Sequence, residues 1–301
     1  MLIVTNSEAG SAQADRLQEA MAELGGNPEL AWVSSPGELD EALDRGHDTV
    51  VTAGGDGSLH ALANALHRRG ELGERTAGLI PMGTGNDFAR TIRMPLEPRE
   101  AGAALRDAVA RPLDLIEDDT GGITVNAVHL GVGADSTRAA SRWKRLLGPA
   151  SFPLGGVIAG FAARGYRLRV EADGEIIIDT NHKVLMVGLG NGKFIGGGAA
   201  RFAPDALPDD GMISLVVSRS RGFTKRAVHA VRLHRGTHPL EVDVHYRQAR
   251  RVSVSGEPCS ASDDGELTDD ITARTWRIRP RAWRFLVPRA FADHAGAPPA
   301  P

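Results

Sequence analysis

The chain has 301 residues, enough to bury at least one large core and, by the usual size of a folding unit, to form about two domains. Its 42% hydrophobic and 24% charged residues are ordinary for a globular protein, and a formal net charge of -3 gives no support to bulk nucleic-acid binding. A single cysteine, Cys259, excludes an internal disulfide and suits a reducing compartment, so a cytoplasmic location is expected. Leu2-Ile3-Val4 is too short for the apolar core of a signal peptide, and Glu8, Asp15 and Arg16 soon follow. No uninterrupted apolar stretch approaches the ~20 residues of a bilayer-spanning helix, so no transmembrane segment is expected. The 36 glycines stand out, because glycine lets backbone N–H groups approach a phosphate closely.

The first third alternates short apolar runs with helical stripes. Residues 2–5 read as a strand; Leu17, Ala20, Met21 and Leu24 mark one face of a helix that Gly25-Gly26 can close. A strand at 30–33, a helix at 36–45 and a buried-type strand at 49–53 follow. Leu59, Leu62, Ala63 and Leu66 give the next helical stripe, and 77–81 the next strand. Strands alternating with helices predict a doubly wound parallel sheet with its ligands at the carboxyl ends of the strands. After about residue 118 the period changes to two. Strands are expected at 123–128, 166–171, 183–189, 212–218, 240–245, 249–254 and 273–279, with helices possible at 136–147 and 223–234. That is the pattern of an antiparallel sheet solvated on one face. The expected division is a nucleotide-binding domain over residues 1–118, a β-rich domain over 119–280, and a disordered Ala/Pro-rich tail over 293–301.

Gly54-Gly55-Asp56-Gly57-Ser58 falls between a buried strand and a helix, where backbone N–H groups at a helix N-terminus stabilise an anion. Ser58 offers a hydroxyl and is also a good N-cap; Asp56 can order the turn, or reach a metal or water on a triphosphate. Such turns are common in proteins without a phosphate ligand, and the string alone does not decide. A second string, Gly83-Thr84-Gly85-Asn86-Asp87-Phe88-Ala89-Arg90, follows the next strand in the same position. Two such turns on consecutive strands form opposing lips around one anionic ligand, with Thr84 and Asn86 available to phosphate or ribose and Phe88 suited to the core. Neither string matches a P-loop, and the first carries no G-x-G-x-x-G fingerprint.

These two strings resemble the diacylglycerol kinase catalytic family, which also includes sphingosine and ceramide kinases; the bacterial soluble lipid kinases share the layout. The resemblance runs along nearly the whole chain, in order: Asn6 and Gly10; Asn126 with Gly131-Val132-Gly133-Ala134; Asn191-Gly192-Lys193 with Gly196-Gly197-Gly198; Ala203-Pro204-Asp205-Ala206; Asp210-Gly211; and Asp264-Gly265-Glu266. It implies an N-terminal α/β domain like that of NAD kinase and phosphofructokinase, an antiparallel β-sandwich after it, and a segment, 281–292, returning to the first domain. It implies ATP lying against residues 55–58 and Thr84, with Asn6, Gly54, Gly83, Asn86 and Asp87 in the same binding set. Ser34 stands where the family has a nucleotide-contacting threonine.

Phosphoryl transfer needs a group to take the acceptor hydroxyl's proton. The glycine of Asp264-Gly265-Glu266 permits a tight turn that aims two carboxylates. Composition alone favours a solvated acidic loop, since Glu257, Asp263, Asp269 and Asp270 lie close by. The resemblance places the base on Glu266 with Asp264 assisting. It also implies Mg2+ on the triphosphate and a structural Mg2+ held by the Asp210 carboxylate and the carbonyls of Leu207 and Met212, an oxygen-only set that suits this ion. The expected partner is a lipid such as diacylglycerol, met peripherally and transiently at a membrane surface, and a homodimer is possible. Where the family has Asn and Glu after its first glycine turn and an apolar residue, this chain has His60 and Ala61. Competing readings are an NAD kinase-like enzyme of small molecules and a catalytically weak nucleotide-binding regulator.

Overall fold

The computed structural model describes residues 1–7, 11–131, 134, 165–219, 228, 231–240 and 243–293. The helix expected at 136–147, most of the one at 223–234, Gly10, Val132, Gly133 and the tail from 294 lie outside the described residues; 231–235 are helical. The chain divides into two compact units, residues 1–115 with 280–301 and residues 116–279.

The first unit runs β1 (Leu2–Asn6), α1 (Ser11–Leu24), β2 (Glu29–Val33), α2 (Pro36–Leu43), β3 (Thr49–Gly54), α3 (Asp56–Arg68), β4 (Thr76–Pro81), α4 (Asp87–Thr91) and α5 (Pro98–Arg106), then enters β5 (Val109–Asp118). The pairs β2–β1, β1–β3 and β3–β4 are all parallel, and the end of the chain's last strand, β17 (Glu266–Val287), continues the sheet parallel to β4, with Arg284 opposite Thr76. Strands covered on both faces must be apolar throughout, and Leu2, Ile3, Val4, Val50, Val51, Leu79 and Ile80 are all buried. Gly25 and Gly26 close α1 at φ 74° and 70°, a region that only glycine enters freely. Phe88 is fully buried and packs its ring edge-on against Phe285, centroids 5.6 Å apart. Helices α4 and α5 and strand β5 add to the expected elements. The inward face of α5 is Ala101, Gly102 and Leu105, too small a stripe to announce itself. Smallness is its function, since a Cβ on Gly102 would run into the carbonyl oxygen of Ala20 on α1.

The second unit is built from β6 (Ile123–Thr124), β7 (Ala127–Gly131), β8 (Tyr166–Ala172), β9 (Glu175–Ile178), β10 (Lys183–Val184), β11 (Met186–Gly190), β12 (Phe194–Ile195), β13 (Ala200–Arg201), β14 (Ile213–Ser218), β15 (Val244–Ala249), β16 (Arg251–Asp263) and most of β17. One antiparallel sheet runs β15–β14–β11–β7–β16. The 13-residue β16 serves two partners: its start pairs with β8, its end with β7, and the register shifts between Ser255 and Ala261 where it changes partner. Val128, Leu130, Val170, Leu189, Leu215, Val252, Val254 and Trp276 meet in its core. The architecture is an α/β unit with a parallel sheet and an antiparallel, sandwich-like β unit, in line with the expected fold class.

Four expected strands need correction. The run at 249–254 straddles two, with β15 ending at Ala249 and β16 starting at Arg251. The run at 123–128 is two strands, because Val125 and Asn126 leave the ladder to bond elsewhere. The run at 183–189 breaks at Leu185, whose N–H goes to the Ser218 carbonyl at 2.7 Å. Of the alternating run at 240–245, residues 241–242 lie outside the described residues; Leu240 ends a 3-10 turn (His238–Leu240) and the ladder to β14 includes Val244, opposite Ser218. Gly102→Val is expected to force α1 and α5 apart and to destabilise the protein by about 1–3 kcal/mol, measured by urea unfolding.

Candidate active site

In the first unit the candidate residues collect at the carboxyl edge of the parallel sheet. Gly54 ends β3, Gly55 is the N-cap of α3 at φ -98°, and Asp56 opens the helix. The first intrahelical bond runs from Leu59 N–H to Gly55 C=O at 3.1 Å, so Gly57 and Ser58 lie ahead of the helical ladder, their N–H groups on the positive end of the dipole. Ser58 is therefore a residue of the first turn and not the N-cap. On the next strand, Pro81 ends β4 and the chain turns through Gly83, Thr84 and Gly85 into α4. Asn86 is left-handed at φ 54° and caps α4 by backbone alone. Its amide closes the turn: Oδ1 accepts from Gly83 N–H at 3.1 Å and Nδ2 donates to the Gly83 carbonyl at 2.8 Å. Asn86 is buried and so spent on its own loop, while Thr84 is exposed.

The two turns touch. A Cβ on Gly83 would stand 2.5 Å from the Cα of Gly55, so these backbones approach to a distance that only glycine tolerates. Met82 N–H donates to the Gly54 carbonyl at 2.9 Å. Asp56 completes the join: its carboxylate accepts from Asp87 N–H at 3.0 Å and Phe88 N–H at 3.1 Å, capping α4 from the neighbouring turn. Asp87 is buried in that first helical turn. Asn6 ends β1, opposite Val33, and Ser34 follows β2 on the same edge. The Ser34 hydroxyl donates to Glu38 at 2.9 Å, and Ser35 caps α2 through Glu38 N–H. His60, in the family's Asn position, is buried in α3, within hydrogen-bond distance of Asn64 Nδ2 at 3.1 Å.

In the second unit, Asp264-Gly265 is the two-residue turn between β16 and β17. Both residues have positive φ, 49° and 101°, as the tightest hairpins require. The Asp264 carboxylate accepts three backbone hydrogen bonds, from Val125 at 2.6 Å and from Asn126 and Ala127 at 2.9 Å each. Asp264 N–H in turn donates to the Ala127 carbonyl at 3.0 Å. Glu266, one residue past the turn, is exposed. Asp263 corrects the picture of a solvated acidic loop. It faces a buried group: Thr124 donates to it at 3.3 Å, and the buried ion pair of Asp118 with Arg274, 2.9 Å, lies in the same network. Burial, with Asp264 and Asp118 adding repulsion, pushes the Asp263 carboxyl up to about 6.

Asn126, for which the sequence suggests no role of its own, is a junction in the structure. Its N–H serves Asp264, its carbonyl accepts from Asn191 and Gly192 N–H at 2.9 Å each, and its Nδ2 donates to the Phe194 carbonyl at 3.0 Å. The loop at 207–212 offers oxygen donors. Asp210 Oδ1 accepts from Met212 N–H at 2.9 Å, Oδ2 from Gln248 at 3.1 Å, and the Leu207 carbonyl takes a long 3.4 Å bond from Asp210 N–H. A carboxylate and main-chain carbonyls are all-oxygen donors of the kind a hard divalent cation takes. Among the described residues no group of three or more His, Cys, Asp or Glu side chains is arranged to hold a metal.

An α/β unit with paired glycine turns at its strand ends, joined to an antiparallel β unit, defines a class of kinase-like folds. The fold matches that of a diacylglycerol kinase from Bacillus anthracis str. Sterne, TM-score 0.73 at 18% identity over 96% of this chain and 97% of that one. An NAD kinase from Archaeoglobus fulgidus in complex with ATP matches at TM-score 0.56 and 12% identity, covering 98% and 96%. The diacylglycerol kinase catalytic domain model matches residues 1–117, and the model of the YegS C-terminal NAD kinase beta sandwich-like domain matches residues 126–287. A "Probable lipid kinase YegS-like" of Stenotrophomonas maltophilia (strain K279a) is 32% identical over 296 residues, 92% of this chain and 91% of that protein. Another, of Xanthomonas euvesicatoria pv. vesicatoria (strain 85-10), is 33% identical over 276 residues, 86% and 85%. The chain belongs to the YegS-like family of the diacylglycerol kinase type.

Two outcomes follow from this geometry. Asp56→Ala removes the cap that joins the turns; it is expected to lower stability by about 1–2 kcal/mol, read by thermal unfolding. For Asp263 the sign is set by a folded pKa of about 6 above the ordinary 3.8. Its contribution to stability is present below about pH 4 and is lost as pH rises through 6. Asp263→Asn should remove a cost on the order of 2–3 kcal/mol at pH 8 and little at pH 4, measured as unfolding free energy against pH.

Proposed function

We propose that this protein transfers the γ-phosphoryl group of ATP to a hydroxyl of a lipid, diacylglycerol or a related alcohol. The observation that carries the reading is the joined pair of glycine turns at the carboxyl edge of β3 and β4, in a chain whose relatives are named as lipid kinases. The neighbouring fold that binds ATP in an NAD kinase supports the nucleotide; the names of the relatives favour a lipid over NAD as acceptor. Among the described residues no helix is long and apolar enough to cross a membrane, so a lipid would be met by a peripheral visit to its surface. We also hold to a homodimer as a possible assembly.

The first unit binds the nucleotide. Backbone N–H groups of residues 57 and 58 face the phosphates, with Thr84, Asn6 and Ser34 along the same edge. The second unit supplies the base. As the acceptor oxygen bonds to the γ-phosphorus, the bond from that phosphorus to the β-bridging oxygen breaks, ADP leaves, and the hydroxyl proton passes to Glu266. The Asp264 carboxylate accepts three backbone N–H bonds and so holds the turn that carries Glu266. It positions Glu266. Asp210 with the carbonyls of Leu207 and Met212 would hold a structural Mg2+, and Mg2+ accompanying ATP supplies charge neutralisation at the phosphates.

Purified protein with Mg-ATP labelled at the γ-phosphate should label diacylglycerol or another lipid alcohol in mixed micelles, and not NAD. Glu266→Gln is expected to lower kcat by about 10²–10⁴-fold, measured by steady-state transfer to the lipid alcohol. Asp264→Asn should lower kcat and also lower the thermal stability of the protein, as the loss of a turn anchor would. ATP binding without transfer to any alcohol, unchanged by Glu266→Gln, would instead identify a nucleotide-binding regulator.

A further inference from the structure

We infer that Glu38 is a specificity-determining residue for the nucleotide, its carboxylate accepting a hydrogen bond from a hydroxyl of the ribose. This deepens the proposed function and rests on ATP being the phosphoryl donor. Ser34, which stands in the place of a nucleotide-contacting residue, has no hydrogen left to offer. Its backbone N–H and its hydroxyl both donate to Glu38 Oε2, at 2.6 and 2.9 Å. A phosphate presents only acceptors to such a group, so Ser34 held in this way is no phosphate ligand. What the pair turns outward is a set of acceptors: the lone pairs of the Ser34 oxygen, and Glu38 Oε1, to which no described residue donates. Both residues are exposed, so a ligand reaches them from solvent.

The arrangement departs from an ordinary helix cap. In a capping box, the acid three residues into the helix turns back to the N–H of the N-cap residue. Here Ser35 is the N-cap and accepts from Glu38 N–H at 3.3 Å, but the Glu38 carboxylate reaches one residue further out, to Ser34 at the carboxyl end of β2. The bonds from the Ser34 N–H and then its hydroxyl hold the Glu38 carboxyl below the ordinary range, so it is an anion at neutral pH.

Position and charge select the part of the nucleotide that meets it. The sheet order β4–β3–β1–β2 sets the end of β2 two strands from the glycine turn of β3, about 10 Å at the spacing of neighbouring strands. Phosphates are drawn to the N–H groups at the start of α3 and repelled by a carboxylate. The nucleotide therefore lies along the edge with its phosphates at β3 and its sugar toward β2. Among the donors of adenosine, the ribose hydroxyls suit a carboxylate better than the amine of adenine, because that amine lies beside N1, whose lone pair would face the negative charge. Doubly wound dinucleotide-binding sheets use an acidic side chain for the ribose in the same way.

Calorimetric titration of the unaltered protein is expected to show ATP bound about 5- to 30-fold more tightly than its 2′-deoxy or 3′-deoxy analogue. In Glu38→Ala that preference should vanish, with ATP falling to the affinity of the analogue. A ratio taken within one protein does not depend on how much the lost cap lowers its stability. Ser34→Ala leaves the backbone bond to Glu38 in place and should keep most of the preference. Equal affinity for all three nucleotides in the unaltered protein, or a preference that survives Glu38→Ala, overturns the inference and leaves ATP as the donor. Inosine triphosphate, which lacks the amine, separates sugar from base: if Glu38→Ala abolishes a preference for ATP over this nucleotide and not over the deoxy analogues, the ribose assignment falls. Binding of no nucleotide at all would end the phosphoryl-donor reading and this inference with it.

Discussion

The constraint on which the candidate site of the first unit depends is the backbone contact of Gly55 with Gly83. Two turns on neighbouring parallel strands can face one phosphate group only if they stand side by side, and any side chain at this contact would hold them apart. Glycine removes the obstacle but supplies no attraction, so the join needs an adhesive. Asp56 provides it by capping the helix that follows the other turn. Much of the first unit follows from this: β3 and β4 must be adjacent, their ends must be level, and α4 must begin where Asp56 can reach. The Asn86 amide then fixes the second turn from within.

The second unit solves a different problem, that of holding a carboxylate-bearing hairpin in one place. Two consecutive acids do so with opposite chemistry. Asp264 points to the backbone of residues 125–127 and is satisfied as an anion by three N–H groups. Asp263 points the other way, toward Thr124 and the buried Asp118–Arg274 pair, and burial makes it reluctant to ionise. Asp263 ends β16 and Asp264 opens the turn at a left-handed φ of 49°, so one peptide unit separates two carboxylates held by different partners. The four residues 124–127 are gripped from both sides, and the Asn126 side chain carries the grip onward to the loop at 191–198.

Much of this was legible along the chain. Apolar runs of four to six residues, each followed by a helical stripe, give the order of the first unit, and the period of two gives the character of the second. The glycine strings were visible because phosphate chemistry needs bare backbone at strand ends. Helix α5 was hidden because its inward face is made small to let α1 approach, and a stripe of alanine and glycine barely differs from a polar one. Ser58 looked like an N-cap because the helix start cannot be read to within two residues when glycine precedes it.

What the sequence determined by itself is therefore the set of local conformations: which segments extend, which coil, and where the backbone must turn through angles that only glycine or asparagine accept. These depend on neighbours a few residues apart. Which groups meet was decided by the tertiary structure, because Asp56 reaches residues 87 and 88, and Asp264 reaches 125–127, across separations of more than 30 and nearly 140 residues. A carboxylate in a string of letters is an acid of ordinary strength. Folding makes one of them a helix cap, one a hairpin anchor and one a buried acid, because only the assembled backbone sets the number of donors and the amount of water around each.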